Sequence, residues 1–147
     1  VYVMQKDSRN IDDYFSFDRI LLDAPCSGSG TLNLNDDNDF KYFSPKLVDK
    51  SRKTQISLLK KAITVLKKGK ELVYSTCSIL KNENEDVVNE VLTFFNNGKY
   101  DFKIEIVPIE FEGIDELPLL PSCISGTICV CPNEMYEGFF VAKIRKV

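Results

Sequence analysis

The chain has 147 residues, a net charge of −3, 44% hydrophobic residues and 28% charged residues, which is typical of one globular domain. No apolar run reaches the roughly 18 residues that a membrane span needs, and the acidic balance argues against nucleic-acid binding through bulk charge alone. The chain lacks histidine, and its five cysteines form no zinc-type pair. We therefore predict no metal site and a reduced intracellular compartment.

The first third of the chain alternates short apolar runs with turns. Residues 1–5 alternate weakly and predict a short strand. Residues 17–22 form a compact apolar run before a turn rich in proline and glycine, which is typical of a buried parallel strand. Residues 33–39 are acidic and rich in asparagine, and they predict an exposed loop.

A long amphipathic helix is predicted next. Ser44 and Pro45 suit the N-cap and the first helical position. Apolar residues then recur at spacings of three and four from Ile56 to Leu66, and Gly69 is the predicted stop.

The rest of the chain predicts strands and one more helix. A strand over residues 71–75 precedes a helix that begins near Asn82 and ends at Gly98. Further strands are predicted at residues 102–107, 127–131 and 138–145, and the last two are plausible partners. This order predicts a three-layer α/β domain whose sheet is mostly parallel with an antiparallel edge.

Two cysteines come directly after apolar runs. Cys26 and Cys77 each follow a predicted strand, and an open α/β sheet binds its ligands at the carboxyl ends of its strands. Taken alone, either thiol also suits a buried structural position. Asp23 ends the first of these strands, where a carboxylate is either a site residue or an acceptor for the turn. Asp7, just after the first predicted strand, is individually a weak candidate.

The two cysteine segments together resemble a known family. Residues 23–28 read Asp-Ala-Pro-Cys-Ser-Gly, and residues 74–78 read Tyr-Ser-Thr-Cys-Ser. With Gln55, the Glu-Asn-Glu of residues 83–85 and the Glu-Gly-Phe-Phe-Val-Ala-Lys of residues 137–143, they resemble the NOL1/NOP2/Sun family of RNA cytosine-5 methyltransferases.

The resemblance implies a Rossmann-like fold and methyl transfer from S-adenosylmethionine to a cytosine of ribosomal or transfer RNA. It implies that Cys77 attacks cytosine C6, that Asp23 acts at N3 and lies near the cofactor's methionine part, and that Cys26 assists product release. It also implies that Asp7 contacts the adenine end of the cofactor.

The resemblance further implies that residues 1–147 are a single partial domain, the C-terminal part of the catalytic domain. The family's glycine-rich cofactor loop and first two strands are absent from the chain. We therefore expect weak or no cofactor binding and no activity from these residues alone. The implied location is the nucleus or nucleolus in a eukaryote and the cytoplasm in a bacterium.

Two other classes of function remain open from the residues. A thiol enzyme or redox sensor would use Cys26 and Cys77 as a pair and would need no cofactor. A non-catalytic RNA-associated scaffold would keep the fold and bind RNA without forming a covalent adduct.

Overall fold

A computed structural model describes residues 1–33 and 37–147. In chain order its elements are a 3₁₀ helix Ser8–Asn10, strand β1 Phe17–Asp23, helices α1 Asp37–Phe40 and α2 Pro45–Val65, strand β2 Leu66–Thr76, helix α3 Glu85–Phe95, strand β3 Ile104–Val107, a 3₁₀ helix Ile114–Glu116, and strands β4 Ile128–Val130 and β5 Phe139–Lys146. Within these described ranges no helix is long and apolar enough to cross a membrane.

One mixed sheet organises the chain. Its strand order is β1-β2-β5-β3, and β4 also pairs with β5. The predicted α/β class is confirmed, as is the pairing of the last two strands. Among the described strands only β1 and β2 are parallel, because β5 lies next to β2, β3 and β4 and runs opposite to all three. The described sheet is therefore mostly antiparallel, whereas the sequence predicted a mostly parallel sheet.

Both long helices pack on the same face of the sheet. Their buried residues join one core with the inward side chains of β2 and β5. The fully buried members include Leu59, Ile63, Val88, Val91, Leu72, Tyr74, Phe140 and Ala142. On the opposite face Leu21 of β1 is 74% exposed. The described residues thus build the sheet and one helical layer of the three predicted layers.

Helix α2 begins where the sequence predicted. The Ser44 hydroxyl accepts a hydrogen bond from the Leu47 amide at 3.2 Å, and Pro45 occupies the first turn. An unpaired amide in the first turn is thereby satisfied, and proline at that position removes an amide that would lack a partner.

The predicted end of this helix was wrong. The helix ends at Val65, four residues before Gly69, and β2 begins directly after it at Leu66. The ammonium group of buried Lys146 donates hydrogen bonds to three carbonyls at this end, those of Ile63, Thr64 and Leu66, at 3.1, 3.2 and 2.8 Å. A side chain from the last strand therefore satisfies the carbonyls of the last helical turn.

Gly69 has a different role from the predicted helix stop. It lies within β2 with a φ of +76°, a left-handed conformation that favours glycine. The register between β1 and β2 shifts between Phe17 and Arg19, so Gly69 belongs to a local irregularity in the strand pair.

The strand predicted at residues 1–5 was also wrong. Val1, Tyr2 and Val3 are at least 91% exposed, and no strand of the described chain pairs with them. A strand needs a neighbour to accept and donate its backbone hydrogen bonds, so the apolar pattern is insufficient here. Of the loop predicted at residues 33–39, residues 34–36 lie outside the described residues, and α1 begins at Asp37.

Candidate active site

The structure brings the two predicted thiols into contact. β1 and β2 are parallel neighbours, and Asp23 is the register partner of Ser75. The chain therefore leaves both strands at the same edge of the sheet. Cys26 Sγ lies 2.8 Å from Cys77 Sγ, and both side chains are partly buried. Neither is in a disulfide.

Backbone hydrogen bonds connect the two cysteine loops to each other and to the residue before β5. The Gly30 amide donates to the Cys77 carbonyl at 3.0 Å, and the Gly138 amide donates to the Gly30 carbonyl at 2.7 Å. A methyl group on Gly30 would lie within 2.8 Å of three backbone atoms of Gly138. Glycine at this position permits the close approach of the loops.

Glu83 joins the two loops from beneath. Its carboxylate is fully buried and accepts hydrogen bonds from the Ser27 amide at 2.8 Å, the Ser27 hydroxyl at 2.5 Å and the Ser78 hydroxyl at 2.7 Å. Nε2 of Gln55 donates to it at 3.2 Å. The carboxylate thus has the partners that a buried polar group requires.

The helix predicted to begin near Asn82 would include Glu83 in its first turn, and this prediction was wrong. Helix α3 begins at Glu85, and Glu83 lies in the turn before it. Its role as an acceptor between the loops was missed. Gln55 could have indicated a buried polar partner, because it lies one turn before Leu59 on the buried face of α2, where a polar side chain needs a hydrogen-bond partner.

The turn that contains Glu83 is itself held by buried hydrogen bonds. The Thr76 hydroxyl donates to Asn84 Oδ1 at 2.6 Å, and Asn84 Nδ2 donates to the Ser78 carbonyl at 2.7 Å. The Tyr74 hydroxyl donates to the Glu83 carbonyl at 2.7 Å. Strand β2 and the loop after it therefore position the backbone beneath the cysteines.

The environment of Cys26 favours the protonated thiol. Burial raises its pKa to about 12, and the hydrogen bond with Cys77 and the negative charges of Cys77 and Glu83 act in the same direction. A hydrogen bond from the Gly28 amide acts in the opposite direction, towards a lower pKa. Cys26 is therefore suited to donate its proton in a hydrogen bond to Cys77 Sγ.

Asp23 is the last residue of β1, three residues before Cys26. Its Oδ1 accepts a hydrogen bond from the Ser75 hydroxyl at 2.9 Å, and the residue is exposed. The side chain is thus fixed at one oxygen and open to solvent, which suits contact with a ligand at the carboxyl end of the strands.

Asp7 is not brought to this cluster. It caps the first 3₁₀ helix, accepting from the Arg9 amide at 3.0 Å and forming an ion pair with the Arg9 guanidinium at 2.5 Å. The hydrogen bond from the Arg9 side chain lowers the pKa of Asp7 to about 2. No described contact joins Asp7 to Asp23 or to either cysteine, so its predicted contact with a cofactor stays a prediction.

No described hydrogen bond joins Cys123, Cys129 or Cys131 to the pair, and the partner of the Cys131 thiol is the Pro132 carbonyl at 3.8 Å. Cys129 is buried in the core, where desolvation raises its pKa to about 11, and Cys123 is exposed. In the part of the chain that the structure describes, no group of three or more cysteine, aspartate or glutamate residues could hold a metal ion.

Solved structures with a similar fold include named methyltransferases. The chain superimposes with a TM-score of 0.70 on NSun6 from Pyrococcus horikoshii with SFG, at 29% identity, over 98% of this chain and 34% of that one. A methyltransferase homolog protein from the same organism gives a TM-score of 0.67 at 33% identity, over 90% of this chain and 40% of that one. The fold is therefore the Rossmann-like fold of Sun-family methyltransferases.

Sequence comparison identifies the family. The family model described as 16S rRNA methyltransferase RsmB/F matches residues 1–145, so the chain belongs to this family. The resemblance to NOL1/NOP2/Sun methyltransferases is confirmed.

Curated relatives carry the name ribosomal RNA small subunit methyltransferase F. The protein from Shewanella woodyi is 38% identical over 139 residues, and the one from Shewanella halifaxensis is 39% identical over 155 residues. These alignments cover 91% and 96% of this chain but only 27% and 28% of the relatives. The chain thus spans little more than a quarter of their length.

Proposed function

We propose that this chain contributes the catalytic cysteines of an S-adenosylmethionine-dependent RNA methyltransferase that acts on cytosine C5. The observation that carries the proposal is the contact of Cys26 Sγ and Cys77 Sγ, 2.8 Å apart at the carboxyl ends of two parallel strands. Asp23 ends the first of these strands, and the chain belongs to a 16S rRNA methyltransferase family. Without histidine, the two thiols serve as nucleophile and release group, and Asp23 serves as the group that gives a proton or a hydrogen bond to the base.

Cys77 is the proposed nucleophile. Cytosine C5 is a poor nucleophile until a group adds to C6. The Cys77 thiolate forms a bond from Sγ to C6, and the electron pair of the C5–C6 double bond becomes available at C5. Asp23 acts at N3 in the proposal, by a proton or a strong hydrogen bond that stabilises the charge that develops on the ring.

Cys26 is the proposed release residue. After C5 gains its methyl group, the C5 proton must leave and the bond between Cys77 Sγ and C6 must break. A protonated Cys26, whose sulfur lies 2.8 Å from Cys77 Sγ, can give its proton to the departing Cys77 sulfur. The Cys26 thiolate that remains can take up the C5 proton, so that both thiols end protonated. The raised pKa of Cys26, about 12, supports this role because the proton is retained at neutral pH.

The proposed cofactor is S-adenosylmethionine, which supplies the methyl group when it is bound. Asp23 fits its methionine part, since the carboxylate is exposed at the strand end and retains an oxygen beyond the bond to Ser75. Asp7 fits the adenine end less well because Arg9 already engages its carboxylate. The similar NSun6 structure was solved with SFG, an S-adenosylmethionine analogue, which supports the choice of cofactor.

The proposed substrate is RNA of the small ribosomal subunit. The names of the curated relatives support ribosomal over transfer RNA. These relatives are bacterial, so the proposed location is the bacterial cytoplasm, and they give no support to the nucleolar alternative.

The experiment uses the complete protein with small-subunit RNA and methyl-labelled S-adenosylmethionine. We expect Cys77→Ala to abolish label transfer to cytosine C5. We expect Cys26→Ala to accumulate a covalent protein–RNA adduct that resists denaturation. Cys123→Ala is the matched control because this cysteine is exposed and outside the pair, and it should behave like the unmodified protein. Full turnover by the Cys77→Ala protein would refute the mechanism.

A thiol redox protein is the second candidate, and the same sulfur contact favours it. It requires that mild oxidation produce a Cys26–Cys77 disulfide and that activity need no methyl donor. The raised pKa of Cys26 counts against it, because thiol–disulfide exchange proceeds through the thiolate. A non-catalytic RNA scaffold remains the third reading, and it requires RNA retention without an adduct in every cysteine variant.

A further inference from the structure

The two catalytic loops share one acceptor atom. Each cysteine of the pair is followed directly by a serine, giving Cys26-Ser27 and Cys77-Ser78. Both serine hydroxyls donate to Oε2 of Glu83, at 2.5 and 2.7 Å. The same carboxylate therefore contacts the neighbour of the proposed nucleophile and the neighbour of the proposed release residue.

The burial of Glu83 indicates that this contact is specific. The residue is fully buried, and a buried carboxylate is destabilising unless hydrogen bonds or a cation compensate its lost hydration. In the ranges 1–33 and 37–147, no lysine or arginine pairs with Glu83. Its compensation comes from the Ser27 amide, the two hydroxyls and Gln55, all of them neutral donors.

We propose that Glu83 is a positioning residue for product release. By accepting from Ser27 and Ser78 through one oxygen, it sets the separation between Cys26 Sγ and Cys77 Sγ. Its negative charge also favours the protonated form of Cys26 that donates to Cys77. The inference rests on the proposed function, because it assigns the carboxylate to one step of that reaction.

The step that depends on Glu83 is release rather than attack. Formation of the bond between Cys77 Sγ and C6 requires only the loop that carries Cys77. Its rupture in the proposal needs the Cys26 thiol at hydrogen-bond distance from the leaving sulfur, and that distance depends on how the two loops are held together. Loss of the carboxylate should therefore slow release more than it slows attack.

The test measures how the complete protein partitions between covalent adduct and methylated product. Glu83→Gln keeps the size of the side chain and removes the charge. We expect about a tenfold fall in kcat together with about a tenfold rise in the ratio of adduct to product, as loss of one charged hydrogen-bond partner implies. A purely structural loss of folded protein would lower adduct and product together and leave their ratio unchanged.

Glu90→Gln is the matched control, since Glu90 pairs with Arg52 on the surface of the helices. It should leave both quantities unchanged. If Glu83→Gln lowers the folded fraction, Ser27→Ala and Ser78→Ala test the positioning role instead, because each removes one hydroxyl and keeps the carboxylate. Each should raise the adduct ratio by a smaller factor.

The outcomes separate this inference from the proposed function. In one outcome the unmodified protein methylates RNA and the Cys26→Ala protein accumulates adduct, but Glu83→Gln, Ser27→Ala and Ser78→Ala leave the adduct-to-product ratio unchanged. This outcome would overturn the role of Glu83 and would leave the proposed function intact. Absence of methylation by the unmodified protein and of adduct in Cys26→Ala would overturn the proposed function as well.

Discussion

Gly30→Ala should separate the cysteine loop from β5. The new Cβ would lie 2.7 Å from the Gly138 carbonyl carbon and 2.8 Å from its Cα, and ordinary contacts begin at 3.4 Å. The carbonyl carbon alone requires a movement of about 0.7 Å, and the Gly138 carbonyl oxygen, which would lie closer still, requires more. Both sides of the contact are backbone, so no side chain can rotate to relieve it.

The expected loss of stability has two parts. Overpacking typically reduces the free energy of unfolding by about 1–3 kcal/mol. The 2.7 Å bond from the Gly138 amide to the Gly30 carbonyl would also stretch, with a loss of about 1 kcal/mol. Together they predict a fall of about 2–4 kcal/mol.

Urea unfolding of the complete protein measures this change, with Gly69→Ala as the control. Gly69 has a φ of +76° and open space around its Cα, so its substitution introduces only left-handed backbone strain, about 1 kcal/mol. Gly30 also donates to the Cys77 carbonyl, so Gly30→Ala should raise the adduct-to-product ratio as well. Equal destabilisation by the two substitutions would refute the steric argument.

Two further predictions test the core and the thiols. Lys146→Met removes three hydrogen bonds to the carbonyls at the end of α2, so it should lower the free energy of unfolding by about 2–3 kcal/mol, as measured in urea. Arg145→Met, the control, removes partly exposed ion pairs and should lower it by less than about 1 kcal/mol. Similar losses in the two variants would contradict the capping role of Lys146. The raised pKa of Cys26, about 12, leaves little thiolate at pH 8, so its alkylation by iodoacetamide should be slower than that of free cysteine and should still rise with pH beyond pH 10. Peptide mass mapping measures the rate, and a plateau near pH 9 would contradict the prediction.

Local patterns were sufficient where neighbours in the sequence supply the interactions. Ser44 caps α2 because its hydroxyl reaches an amide only three residues away. The apolar run of residues 17–22 becomes β1, which is parallel to β2 as predicted. The predicted burial of this strand was wrong, because β1 lies at an edge of the described sheet and none of its residues is buried. The convergence of Cys26 and Cys77 followed from topology, because parallel neighbouring strands end at one edge of the sheet.

Local patterns failed where a distant residue decides the outcome. Residues 1–5 have the alternation of a strand but no partner among the described strands. Helix α2 ends at Val65 because Leu66 is already extended and pairs with Phe17 of β1. Lys146, some eighty residues away in the chain, satisfies carbonyls of the last helical turn.

From the order of its residues alone, the chain determined its α/β class, the start of its long helix and the pair of thiols at one edge of the sheet. Only the tertiary structure decided that Glu83 lies beneath both thiols and accepts from the two serines that follow them. The physical reason is that periodicity and capping act over a few residues, whereas a buried carboxylate is stable only where the fold assembles its donors from separate loops.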